Sequence, residues 1–207
     1  MSGIMTPASS VIGTPPAAAT EPIWRLSVER YHEMIRAGIL TDDDPVELLE
    51  GLLVEKMSKN RPHSLATRRL RRALERLIPS GWYVDSQEPI TTSDSEPEPD
   101  CVVVRGNPDD FPDRQPSPRD APLVAEVADA SLRRDRTTKL RIYARASVAV
   151  YWVVNLIDRQ VEVYSDPTGP AEQPSYRQRR DYGPADDVPL VIDGKEIGRI
   201  PVRDILP

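Results

Sequence analysis

Two apolar runs, each carrying one carboxylate, constrain this chain more than any other feature. The first reads Pro97-Glu98-Pro99-Asp100-Cys101-Val102-Val103-Val104, and the second Pro122-Leu123-Val124-Ala125-Glu126-Val127-Ala128-Asp129. Runs this rich in β-branched residues read as strands. An acid inside such a strand is costly to desolvate unless something positive meets it. Two acids side by side on neighbouring strands would repel, and a divalent cation between them resolves the conflict. The leading expectation is a metal-dependent site around Asp100 and Glu126; the alternative is a structural ion pair.

Strand alternation sharpens this. Val124, Glu126 and Ala128 share one face of the second run, while Leu123, Ala125 and Val127 share the other. Asp100 follows Pro99 at the start of its strand, where a side chain reaches the sheet end. If the two strands pair, the carboxylates can lie within about 5 Å of each other. That spacing suits oxygen ligation of magnesium or manganese and leaves positions for water and a phosphate oxygen.

At 207 residues the chain is long enough to bury a core without covalent staples. One cysteine, Cys101, excludes an internal disulfide and suits a reducing compartment; it reads as a core residue on the face opposite Asp100. Residues 1–22 are rich in Ala, Pro, Ser and Thr and read as a disordered tail; residues 23–207 read as one domain. A leader peptide would need a basic start and a continuous apolar stretch, and no run reaches the roughly 20 apolar residues of a membrane span. The expected location is the cytoplasm. A net charge of -6 argues against non-specific coating of nucleic acid. The charge is uneven, however: Lys59, Arg61, Arg68, Arg69, Arg71, Arg72 and Arg76 make one basic segment, and Arg133, Arg134, Arg136, Lys139, Arg141 and Arg145 another. Each is either a solvated helix face or a phosphate contact.

Periodicity predicts a helix from a Ser27 cap to Ala37, paired strands about Gly51, and a helix opened by Pro62-His63-Ser64 with a stripe of Ala66, Leu70, Ala73, Leu74 and Leu77. Strands follow at 82–88, 101–105 and 122–128. Ser131 caps a helix over about 132–146. A strand pair covers 148–155 and 160–165, with Tyr151 and Trp152 as packing residues. Beyond Asp166 only short strands near 190–192 and 196–200 are predicted. The fold class is α/β, a mixed or antiparallel central sheet flanked by helices.

The pattern resembles the nuclease superfamily marked by Pro-Asp, a variable gap, and Asp/Glu-x-Lys. Pro99-Asp100 and Glu126 match the first two elements, but Ala128 stands where the lysine belongs. More specifically the chain resembles the Uma2 family of bacterial endonucleases. The matching residues are Glu47, Leu48, Glu50 and Gly51; His63; Pro99 and Asp100; Glu126 and Val127; Asp135, Lys139 and Tyr143; and Tyr151 with Trp152. The resemblance spans about residues 25–205.

It implies a restriction-endonuclease-like core and hydrolysis of phosphodiester bonds with Mg2+ or Mn2+. Asp100, Glu126 and the Val127 carbonyl would hold the cation. It also implies that the lysine has moved to the helix as Lys139, about 12 Å from that helix's start. Asp135, Lys139 and Tyr143 fall at i, i+4, i+8 on one face; the other reading is an ordinary Asp135–Lys139 pair. Glu50 is either a third carboxylate of the site or a turn residue, while Glu47 is expected to face solvent or an arginine. His63 is a candidate for phosphate contact or proton transfer, or else a local hydrogen-bonding residue. Asp129 is expected to cap the next helix, the other reading being contact with the metal shell through water. The expected partner is nucleic acid, DNA first, with a homodimer as a further expectation. Two rivals stand beside the endonuclease: a binding module that kept the fold and lost the chemistry, and a hydrolase of small phosphodiesters.

Overall fold

A computed structural model describes residues 22–41 and 43–207; the expected N-terminal tail lies outside these residues, apart from Pro22. The chain runs through α1 (Val28–Arg36), the hairpin β1 (Val46–Leu49) and β2 (Leu52–Glu55), α2 (Arg61–Glu75), β3 (Trp82–Asp85), β4 (Cys101–Arg105) and β5 (Leu123–Ala128). Next come α3 (Leu132–Arg134), a π-helical turn (Asp135–Lys139) and α4 (Leu140–Arg145) in unbroken succession. Then follow β6 (Val150–Asn155), β7 (Gln160–Pro167), β8 (Tyr176–Tyr182), β9 (Asp187–Ile192), β10 (Lys195–Pro201) and α5 (Val202–Ile205).

Six strands form one mixed sheet in the order β3-β4-β5-β6-β7-β8. Only β5 and β6 are parallel, because the helical segment 132–145 carries the chain back across the sheet between them. The other neighbours are antiparallel. Both faces are covered, which is why β5 and β6 are buried along their whole lengths. On one face, Ala66, Leu70 and Leu74 of α2 pack on Cys101, Ala125 and Val127, joined by β9, β10 and α5. On the other, Tyr143 and Ala144 of α4 pack on Val102, Val124 and Tyr151. The restriction-endonuclease-like α/β expectation holds, with the sheet mixed. Cys101 is buried in the first core, and burial pushes its thiol well above the ordinary range.

Two expectations need correction. Residues 176–182 form a full strand, β8, on the open edge of the sheet. Its interior reads Arg-Gln-Arg-Arg-Asp, so no apolar alternation marks it. Its exposed charges are the ordinary protection of a sheet edge. The helix over 132–146 is not uniform either, since its middle turn widens to a π-helix. Among the described residues no helix is long and apolar enough to cross a membrane.

Candidate active site

Pro99 shapes the site first. β4 pairs with β5 only over Cys101–Val103, and continued register would set Pro99 opposite Val127. Proline has no N–H to offer, and the Pro99 carbonyl turns instead to accept from the Gln87 N–H at 2.9 Å. The ladder stops there. The Val127 N–H is taken by Asp100 Oδ2 at 2.9 Å, and the Val127 carbonyl leaves the same edge of β5. Asp100 Oδ2 also stands 3.1 Å from His63 Nε2. His63 is fixed in the first turn of α2, where the Asn60 side chain accepts its backbone N–H at 3.0 Å. Its other ring nitrogen, Nδ1, is buried without a partner.

Glu126 lies under the opposite helical layer. Its Oε1 accepts from Lys139 Nζ at 2.9 Å and from the Tyr143 hydroxyl at 2.8 Å. The alternative reading, an Asp135–Lys139 ion pair, is absent among the described contacts, and the π turn gives the reason. The Leu140 N–H reaches back five residues to the Asp135 carbonyl, which also accepts from the Tyr151 hydroxyl at 3.1 Å. Widening the turn separates side chains that an α-helix would stack at i, i+4. Asp135 accepts instead from Ser131 Oγ at 2.6 Å.

The third carboxylate of the cleft is Glu47, not Glu50. Glu47 Oε2 lies 3.4 Å from Lys139 Nζ, and Arg134 stands 3.7 Å from Oε1. Glu50 sits at the tip of the β1–β2 hairpin with φ of 49°. There Arg141 (2.7 Å) and Arg145 (2.9 Å) hold it, and Arg141 above all keeps its carboxyl below the usual range. The clue to Glu47 was available: an acid alternating with Leu48 in a short apolar strand is the same pattern that singled out Asp100 and Glu126. Asp129 does not cap the helix with its side chain. It accepts from Asn60 Nδ2 at 2.6 Å and so bridges the two rims of the cleft.

The result is a cavity of about 80 Å³ that Glu47, Asp100, Glu126 and Asp135 line together with Lys139 and His63. Asp100 is 5% and Glu126 3% exposed. Burial pushes Glu126 up to about 8, with the neighbouring carboxylates adding to it and Lys139 opposing. Asp135 is likewise pushed up by burial, to about 6. Burial alone would lower Lys139, but Glu126, Glu47 and Asp135 together outweigh it and hold the ammonium above its ordinary range. Neither Asp100 nor Glu126 meets an arginine among the described residues. The cluster therefore carries more negative than positive charge in a poorly solvated place.

Do these residues fit a divalent cation? Among the described residues no three His, Cys, Asp or Glu side chains stand ready as a ligand cage. Asp100 Oδ1 and Glu126 Oε2, however, accept no hydrogen bond from the described protein, and neither is sealed away from the cleft. Two free carboxylate oxygens beside a strand-edge carbonyl are hard donors of the kind magnesium and manganese take, with water completing the shell. The donor set fits.

A mixed sheet covered by helices on both faces, with an acidic cleft where β4 and β5 part, has the fold of a nuclease. The chain belongs to the Uma2 family, described as "Putative restriction endonuclease", which matches residues 28–192. Its fold resembles the crystal structure of "a putative nuclease belonging to DUF820" from Anabaena variabilis, with a TM-score of 0.64 at 13% identity, covering 87% of this chain and 97% of that one. No curated protein matches the sequence. Restriction-endonuclease-like families generally work with divalent metals.

Proposed function

We propose that the protein is a metal-dependent endonuclease that hydrolyses nucleic-acid phosphodiester bonds, with residues 23–207 acting as one nuclease domain in the cytoplasm. The observation that carries this reading is Lys139 Nζ at 2.9 Å from Glu126 Oε1, in the cleft that Asp100 also lines. An acid, a second acid and an ammonium converge although no lysine follows Glu126 in the strand.

Asp100, Glu126 and the Val127 carbonyl would hold Mg2+ or Mn2+. Bound there, the ion would supply Lewis acidity and a hydroxide source near neutral pH. His63 steadies Asp100 from the side away from the ligand oxygen. Lys139 orients the attacking water and offsets charge that grows on the phosphoryl oxygens. Glu47 and Glu126 keep that ammonium charged and aimed. Basic side chains of α2 grip the polynucleotide backbone, DNA first, which makes binding steeply salt-dependent. Two copies pairing would let both strands be cut.

The test is cleavage of plasmid DNA, RNA and bis(4-nitrophenyl) phosphate with Mg2+, Mn2+ or chelator. It is run on the wild type, Asp100→Ala and Glu126→Gln, with Mn2+ binding measured by calorimetry. A nuclease cuts the polymer only with metal, and both variants lose metal binding and cleavage. Correctly folded wild type that binds Mn2+ and cuts nothing defeats the reading. One observation favours a second reading, a hydrolase of small phosphodiesters: the Asn60–Asp129 bridge narrows the cleft mouth. Turnover of the small diester without polymer cleavage would select it.

A further inference from the structure

Next to the cleft, on the outer side of α2, Ser64, Thr67, Arg68 and Arg71 form a shallow basin with Ser86 and Gln87, which follow β3. We propose that this basin is a phosphate subsite that seats a phosphodiester flanking the one cut, on the same strand. This rests on the nuclease reading and adds to it a defined path for the polynucleotide.

The basin's residues are hydrogen-bonded to residues that line the cleft. Thr67 Oγ1 donates to the His63 carbonyl at 3.0 Å, and Ser86 Oγ donates to the Asp100 carbonyl at 2.7 Å. Arg68 and Arg71 lie roughly 7 and 12 Å along the helix from His63. Successive nucleotides rise about 3.4 Å each along a strand, so these arginines meet phosphates within about three steps of the cut.

The basin's free donors are guanidinium and amide groups, its lining carries no carboxylate, and the hydroxyls of Ser64, Thr67 and Ser86 already donate to backbone carbonyls. Arg68 has no acidic partner among the described residues; only its Nε is used, donating to the Ser64 carbonyl at 3.1 Å. Arg71 pairs with Glu75 at 2.8 Å, but the two side chains are 49% and 43% exposed. A pair so open to water is weakly held and readily exchanged for a phosphate. The rival arginine patch, Arg69, Arg72, Arg76 and Arg199, includes Asp204, and Glu196 already clamps Arg199.

Gln87 is not glycine, yet it holds a φ of 64°, fixed by its N–H bond to the Pro99 carbonyl. The same left-handed residue therefore ends the β4 ladder and presents an exposed amide to the basin. Backbone strain persists where the surroundings enforce it, and such positions gather at binding sites.

The experiment measures anisotropy of a labelled 12-nucleotide DNA in chelator, so that no cleavage is needed. Single methylphosphonates neutralise one phosphate at a time. In the wild type, neutralising a phosphate within three steps of the cut weakens binding about tenfold. In Arg68→Ala/Arg71→Ala, binding is weaker, the slope of log K against log salt falls by about 2, and that same methylphosphonate no longer matters. Gln87→Gly, which relieves the strain, weakens binding without lowering the melting temperature. If the methylphosphonate costs as much in the double variant as in the wild type, or if the wild type binds no oligonucleotide, the subsite is refuted. Coupling observed in a protein that never cleaves would keep the subsite and sink only the nuclease reading.

Discussion

Lys139 Nζ lies 2.9 Å from Glu126 Oε1, thirteen residues away along the chain, so an ammonium from the helical layer above the sheet reaches the strand's carboxylate. Three carboxylates, Glu126, Glu47 and Asp135, hold that ammonium charged.

Lys139→Met removes the only lysine among them and leaves the acids to repel. In chelator at pH 7 it should destabilise the fold by about 3 kcal/mol, the usual scale for breaking a buried pair. Added Mn2+ should restore part of the loss by binding the native state, while cleavage stays down about 100- to 1000-fold. Thermal melts with and without Mn2+ check the first part, and plasmid cleavage the second.

Glu47→Gln and Glu50→Gln should behave oppositely. Glu47 contacts Lys139 within the cleft, so its amide should lower kcat at least tenfold with KM nearly unchanged. The Glu50 carboxylate is held by Arg141 and Arg145 outside the cleft, so its amide should cost about 1–2 kcal/mol of stability and leave kcat alone. Steady-state kinetics beside urea titrations separate them. Equal kinetic losses would show the assignment of the third carboxylate to be wrong.

Acid should attack the fold through Glu162. This carboxylate is fully buried in β7. Burial alone would raise it, but hydrogen bonds from Arg136, Asn155 and Tyr164 outweigh that and pull it down to about 2. A group depressed in the folded state contributes stability that is complete above its unfolded pKa near 4.5 and is lost as pH falls toward 2. The loss should reach about 3 kcal/mol, at 1.36 kcal/mol per unit. Glu162→Gln should flatten the stability profile between pH 5 and 2, measured by urea denaturation.

Asn60 has two tasks and Asp129 one. Asn60→Ala removes the cap on α2 together with the bridge across the cleft mouth, and should cost about 1 kcal/mol. Asp129→Ala removes only the bridge and should move stability by less than about 0.5 kcal/mol. Both should raise kcat/KM for DNA more than for a small diester, since only the polymer needs the wider mouth.

Residues that had to be buried were legible in the sequence. Asp100 and Glu126 stand out because an acid in a β-branched strand must meet something positive, a metal ion or an ion-pair partner, and α2 stands out because its apolar stripe repeats at helical spacing. Three features were not legible, each for its own reason. β8 buries only its terminal tyrosines, so no alternation marks it. Glu50 reads equally well as a site carboxylate or a turn residue, and only the hairpin geometry, which hands it to Arg141 and Arg145, takes it out of the cleft. The π turn is a backbone event. It changes where Asp135 and Lys139 point without altering the order of residues, and the hydrogen bond from Tyr151 that accompanies it comes from a strand sixteen residues away.

Pro99 contributes by what it withholds. Any other residue at that threshold would bring an amide hydrogen, and the two strands could zip onward across Val127. With proline there the seam stays parted, and a backbone oxygen that a longer ladder would have consumed is left without that partner. The gap between these two strands is kept ajar by a missing hydrogen atom.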